Sequence, residues 1–171
     1  MKCVVEKLSK DYSYSNKCEK YIGELLYEHN IAPNPHLYSE GCEPKWDIMY
    51  NDIFNTKVEI KIQSDEDMCF EISKIKTSAP CGIYTTESTL YVMINRYISN
   101  ELGDVGMLRV LHVDDILQYI EAQGDNLKLK KSHNEWVKFI DPKKGIPHIN
   151  IGYFPSLDYG EMYDLSCFKL L

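Results

Sequence analysis

The stretch Trp46-Asp47-Ile48-Met49-Tyr50-Asn51-Asp52-Ile53-Phe54-Asn55-Thr56-Lys57-Val58-Glu59-Ile60-Lys61-Ile62 decides the fold. Residues 46–50 and 57–62 alternate in polarity with the period of a half-buried strand, and Asn51, Asp52, Asn55 and Thr56 between them are turn formers. The two runs predict an antiparallel pair. Along the second, Val58, Ile60 and Ile62 point to one face and Glu59 and Lys61 to the other, so an acid and a base share a face two residues apart. With the turn centred on Ile53, Asp47 stands opposite Glu59, each six residues from that centre, and directly opposed Cβ atoms lie about 5 Å apart. Two carboxylates facing across a ladder repel and call for an offset. A divalent cation supplies one, because hard ions such as Mg²⁺ prefer carboxylate and carbonyl oxygens. A solvated sheet face in which Lys61 merely neutralises Glu59 is the competing reading of the same residues.

Before the hairpin, residues 15–29 place Cys18, Tyr21, Ile22, Leu25 and Leu26 on one helical stripe, with Ser15 or Asn16 able to cap the start. Residues 30–42, with Pro33, Pro35 and Gly41, read as a loop. After the hairpin, strands are predicted at 68–73, 90–97 and 107–113, a short helix at 114–122, and short strands near 136–140 and 148–154. The order is helix, three-strand meander, further strands, helix. It predicts one α/β domain over 1–171, with a motif core at about 15–97 and a C-terminal part at 98–171.

Composition narrows the class. The 171 residues are 44% hydrophobic and 26% charged, with 9 Gly, 7 Pro and 13 Tyr, which excludes disorder as a description of the whole chain. No apolar run approaches the roughly 18 residues of a membrane span, and the start carries no pattern of a secretory signal, so a cytoplasmic protein without a membrane partner is expected. The six cysteines, at 3, 18, 42, 69, 81 and 167, form no C-x-x-C pair and no zinc-type couple with histidine, and read as reduced, mostly buried thiols. The net charge of −7 argues against a chain that coats nucleic acid with its whole surface, while leaving room for a local basic patch.

With Gly23-Glu24 on the helix, Trp46-Asp47-Ile48 and Val58-Glu59-Ile60-Lys61, the sequence resembles the PD-(D/E)xK, or restriction-endonuclease-like, nucleases. Trp46 stands where the motif's name has proline. The resemblance extends to phage-type members through Phe70-Glu71-Ile72, the loop Ala79-Pro80-Cys81-Gly82-Ile83-Tyr84-Thr85-Thr86 and Leu90-Tyr91-Val92; Cys81 replaces the usual serine there, and Glu87-Ser88-Thr89-Leu90 replaces Lys-Ala-Asp. It covers roughly residues 21–94. The resemblance implies a restriction-endonuclease-like core, a central mixed β-sheet flanked by helices, and an Mg²⁺-dependent nuclease cutting phosphodiester bonds in DNA. Mn²⁺ would substitute for Mg²⁺. An endonuclease of viral or mobile-element type, working inside a host cell, is the form it favours.

In that frame Asp47, Glu59 and the Ile60 backbone carbonyl would hold the metal, with Glu24 completing the site from the helix. Glu28, one turn later, could take the place of Glu24. Lys61 would orient or help deprotonate the attacking water and stabilise developing charge, given an ammonium whose pKa is lowered. Accessory candidates are Gln63, two residues beyond Lys61 on the same face and suited equally to substrate contact or to a solvated strand end; Glu71, near the site on the third strand or equally a surface residue; and Thr86, whose hydroxyl suits a phosphate or a turn. The alternatives within the fold are a branched-DNA (Holliday junction) resolving enzyme, which needs a homodimer, and an exonuclease; RNA is not excluded as substrate. A catalytically inactive module binding nucleic acid or protein is the alternative of another class.

Positive charge gathers at residues 128–144, where Lys128, Lys130, Lys131, Lys138, Lys143 and Lys144 face only Glu135 and Asp141, a local excess of +4, interleaved with Trp136 and Phe139. This is a candidate DNA-binding surface; edge lysines that discourage strand pairing explain it equally. Residues 101–125 carry six acids against Arg109 and should face away from DNA. Arg96 is a further cation able to meet a phosphate.

Overall fold

The structure is a computed structural model that describes residues 12–39, 45–63, 65–132, 135–155 and 167–171, with the backbone alone at 12–18 and 36. Cys3, Cys42 and His133, and the side chains of Ser15, Asn16 and Cys18, lie outside the described set. The elements run α1 (Tyr12–Glu28), β1 (Pro35–Tyr38), β2 (Ile48–Tyr50), β3 (Lys57–Ile62), β4 (Met68–Lys74), β5 (Leu90–Ser99), β6 (Gly103–His112), α2 (Val113–Gln123), β7 (Lys128–Ser132), β8 (Glu135–Ile140), β9 (Ile149–Pro155) and β10 (Lys169–Leu170). Among the described residues no helix is long and apolar enough to cross a membrane.

Seven strands form one mixed sheet in the order β1-β2-β3-β5-β6-β9-β10, and β4-β8-β7 form a second, three-stranded sheet. Helix α1 packs Ile22, Leu25 and Leu26 on one face of the large sheet, against Ile48, Tyr50, Val58, Ile60, Val92 and Ile94. Gly23 permits this approach. A Cβ there would come within 2.6 Å of Ile48 Cδ1. The second face is covered jointly by α2, through Ile116 and Ile120, and by the small sheet, through Met68, Phe70 and Ile140, which meet Tyr91, Met93 and Leu111. The fold is therefore mixed α/β, with one helix on each face.

One expectation is corrected here. Residues 68–74 are not the third strand of a meander: the neighbour of β3 on that side is β5, running parallel to it with Glu59 beside Tyr91 and Lys61 beside Met93. Residues 91–95 of β5 are buried without interruption, the mark of a strand enclosed on both faces. Strand β4 instead buries Met68 and Phe70 and exposes Glu71, which suits an outer sheet, where it pairs with β8. Three strands fall where none was expected. Strand β1 is a short edge strand that opens on proline and shifts register against β2, as edge strands tolerate. Strand β7, rich in lysine, is the outer strand of the small sheet among the described residues, paired there with β8, and β10 adds two residues to the edge of the large one.

Candidate functional site

The hairpin has the expected register. Ile48 pairs with Val58 and Met49 with Lys57; beyond these pairs the Asp47 N–H donates to the Val58 carbonyl at 2.8 Å, and the Glu59 charge acts on the Asp47 carboxyl. Just before β2, the Asp47 carbonyl accepts the N–H of Ser39, the residue after β1, at 2.9 Å. The Asp47 carboxylate turns toward β3, where its Oδ2 accepts the Ile60 N–H at 2.6 Å. Both acids are enclosed, Asp47 5% and Glu59 8% exposed. Lys61, one pleat along from Glu59, reaches back so that its Nζ lies 2.7 Å from Glu59 Oε1, and keeps 38% of its side chain open to solvent.

The charges are unevenly matched, with two carboxylates to one ammonium. Burial, then the charge of Glu59 and then that of Glu19, push the Asp47 carboxyl up to about 7, against the opposing pull of the Ile60 N–H and Lys61. Burial disfavours the Lys61 ammonium, but the Glu59 charge and hydrogen bond, with Asp47 behind them, outweigh it and hold the Lys61 pKa above the ordinary lysine value. Lys61 therefore stays charged. Its part as a water-deprotonating base with a lowered pKa is withdrawn, and orientation and charge stabilisation remain. Tyr91, enclosed beside Glu59, is pushed up by burial and by that carboxylate.

The donor set fits a hard divalent cation. Two enclosed carboxylates beside one ammonium leave the site net negative, and Mg²⁺ is commonly held by one or two carboxylates, substrate phosphate and water. Among the described residues no third Asp, Glu, His or Cys joins the pair in a metal-binding group, so solvent, substrate and the Ile60 carbonyl would complete the shell.

The helix acid is not the expected one. Glu24 is half exposed and lies 3.9 Å from Lys20; its charge bears on Tyr38, whose phenol is raised first by burial and then by Glu24. The helix acid acting on Asp47 is Glu19. Glu19 precedes Gly23 by four residues and so shares the face on which α1 approaches β2. Glu28 is exposed at the helix end.

The accessory residues divide between structure and surface. Gln63 spans to β4: its Nε2 donates to the Cys69 carbonyl at 2.8 Å and its Oε1 accepts the Cys69 N–H at 3.0 Å, a stitch between the sheets rather than a substrate contact. Thr86 Oγ1 donates to the Lys45 carbonyl at 3.0 Å and accepts the Ser88 N–H at 3.1 Å, so it builds a turn. Glu71 is exposed. Gly82, with φ of +52°, lies so close to β4 that a Cβ would meet the Glu71 carbonyl oxygen at 2.5 Å, and this glycine seats the loop at 79–86 on the small sheet.

The six lysines of 128–144 do not form one surface of free charges. Lys128, Lys130 and Lys131 are exposed on β7, where Lys130 lies over the Phe139 ring at 5.0 Å and Lys131 over Trp136 at 5.1 Å. Lys130 pushes the Lys128 pKa down, and Asp67 and Asp65 partly offset it. Lys138 donates to the Gly124 carbonyl at 2.9 Å. Lys143 and Lys144 sit on a separate turn, with Lys143 over the Tyr97 ring at 5.6 Å. Arg96 is engaged by Asp104, Nε lying 3.0 Å and Nη2 2.6 Å from its oxygens, so it is not an isolated cation. Cys69 is partly buried, Cys81 buried and Cys167 exposed. No family model, curated protein or solved structure matches the chain.

Proposed function

We propose that the chain is a divalent-metal-dependent nuclease of the restriction-endonuclease-like kind, acting on DNA. The observation that carries the proposal is the Asp47–Glu59 pair, two enclosed carboxylates whose charges act on one another, with Lys61 2.7 Å from one of them. Asp47, Glu59 and the Ile60 carbonyl would hold Mg²⁺ or Mn²⁺. When bound, such a cation supplies charge neutralisation at a phosphodiester and acidifies water. The chain's own residues then have separable tasks. Asp47 must give up its proton to serve as a ligand, which ties activity to pH near 7. Lys61, charged and partly open to solvent, orients the incoming water and stabilises the negative charge that grows on the phosphate. Glu19 adds negative potential from α1 and would help hold water around the cation.

The proposal is tested by offering single-stranded, duplex and branched DNA, and RNA, to the purified chain with Mg²⁺, Mn²⁺ or EDTA. Metal-dependent cleavage that disappears in Asp47→Ala and Lys61→Ala is the expected result, and the preferred substrate chooses among endonuclease, junction-resolving and exonuclease forms. Binding without cleavage under every metal would leave the inactive module in its place.

A further inference from the structure

Beside the acid pair stands a second charged cluster. Glu87 lies between two ammonium groups, Lys45 Nζ at 2.9 Å from Oε1 and Lys57 Nζ at 2.8 Å from Oε2. Each lysine precedes one acid of the pair by two residues, Lys45 before Asp47 and Lys57 before Glu59. Lys57 shares the face of Glu59 and Lys61, because alternate residues of a strand point the same way, about 7 Å apart. The Lys57 ammonium also lies 5.6 Å from the centre of the Trp46 ring. The backbone around the cluster is well tied. Glu87 N–H donates to the Lys45 carbonyl at 2.8 Å and Thr89 N–H to the Lys57 carbonyl at 2.9 Å.

We propose that Lys45 and Lys57 form a subsite for a backbone phosphate of the nucleic-acid strand, and that Glu87 holds the two ammonium groups in place until that phosphate displaces it. This rests on the nuclease reading and extends it to how the strand is gripped beside the cut. A carboxylate with one ammonium on each oxygen has the charge and the two-oxygen geometry of a phosphodiester, so Glu87 stands where a phosphate would. All three groups are open to solvent. Exposed ion pairs are screened by water and weak, and a phosphate that takes their place brings counterion release with it. The arrangement keeps two flexible lysines preorganised and makes binding compete with an internal anion.

The test measures binding of labelled duplex and branched DNA to the full chain in EDTA, over a range of salt concentrations. Glu87→Gln, which keeps a hydrogen-bonding side chain and removes the charge, should tighten binding by about fivefold or more and steepen the salt dependence by about one ion. Asp104→Asn, which strips an acid ion-paired to Arg96 from the start of β6, controls for net charge and should change binding less than about twofold. In a Lys45→Gln/Lys57→Gln background the gain from Glu87→Gln should vanish. Glu87→Gln binding no tighter than Asp104→Asn, a gain that persists without the two lysines, or no DNA binding by the wild type overturns the subsite. Cleavage with Mg²⁺ is scored separately: the expected binding pattern with no cleavage sinks the nuclease reading alone, and cleavage with no gain from Glu87→Gln sinks the subsite alone.

Discussion

Strand β3 and strand β7 are both rich in charge, yet they use it in opposite ways. On β3, Glu59 and Lys61 sit on a face closed by Tyr91 and the small sheet, and their charges act on one another at 2.7 Å. On β7, the outer strand of the small sheet among the described residues, the Lys130 and Lys131 ammonium groups lie exposed over aromatic rings of β8. Enclosure, rather than the number of charges, concentrates chemistry: a low local dielectric strengthens each interaction and makes an unmatched charge costly.

The largest effect expected from that contrast is at Lys61. Lys61→Ala should lower metal-dependent cleavage by about 10²-fold or more, and should also destabilise the fold by about 1–3 kcal/mol, less than for a fully buried pair because Lys61 is partly solvated. Initial rates and urea unfolding read the two separately. An unchanged cleavage rate would show that the β3 face is as inert as the β7 edge.

Asp47→Asn sharpens the contrast through pH. An Asp47 carboxyl with a pKa of about 7 in the fold and an ordinary value of 3.8 holds its proton longer when folded. Its stabilising contribution is complete below pH 3.8 and is lost as pH rises through 7. Metal-free wild type should therefore lose on the order of 2–4 kcal/mol relative to Asp47→Asn between pH 4 and 8. Denaturant midpoints of both proteins across that range measure it, and parallel curves would remove the enclosed repulsion from the site.

How far these features were legible differs from residue to residue. The hairpin register followed from period two and a turn centred on Ile53, because strand alternation and short-loop closure are local physics. The place of β4 was not legible: its departure to a second sheet depends on β5 being buried on both faces, a non-local pairing that no window around residue 68 contains. The helix acid fell between. Glu24 and Glu19 lie on the same amphipathic helix, and only Gly23, a glycine inside a helical pattern, marked which face comes closest to β2. The raised pKa of Lys61 was beyond reach, since it arises from a distance to Glu59 that the chain sets in three dimensions.

Smaller effects complete the series. Gly82→Ala should cost about 1–3 kcal/mol, through a left-handed backbone and a contact with the Glu71 carbonyl, and thermal unfolding reads it. A cost near zero would show that the loop is not seated on β4 as described. Least is expected at the edge: Lys130→Ala with Lys131→Ala should change stability by under about 1 kcal/mol and DNA affinity by only a few-fold. A collapse of DNA binding there would move the grip on the strand from β3 to β7.

The pairing of Asp47 with Glu59 as a cation site is tested most directly by calorimetric titration of Mn²⁺ near pH 7, in two buffers of different ionisation enthalpy. The expected result is saturable binding with net proton release, since Asp47 must ionise to bind, and loss of that binding in both Asp47→Asn and Glu59→Gln. Absence of binding in the wild type, or binding undiminished in the two variants, would contradict it.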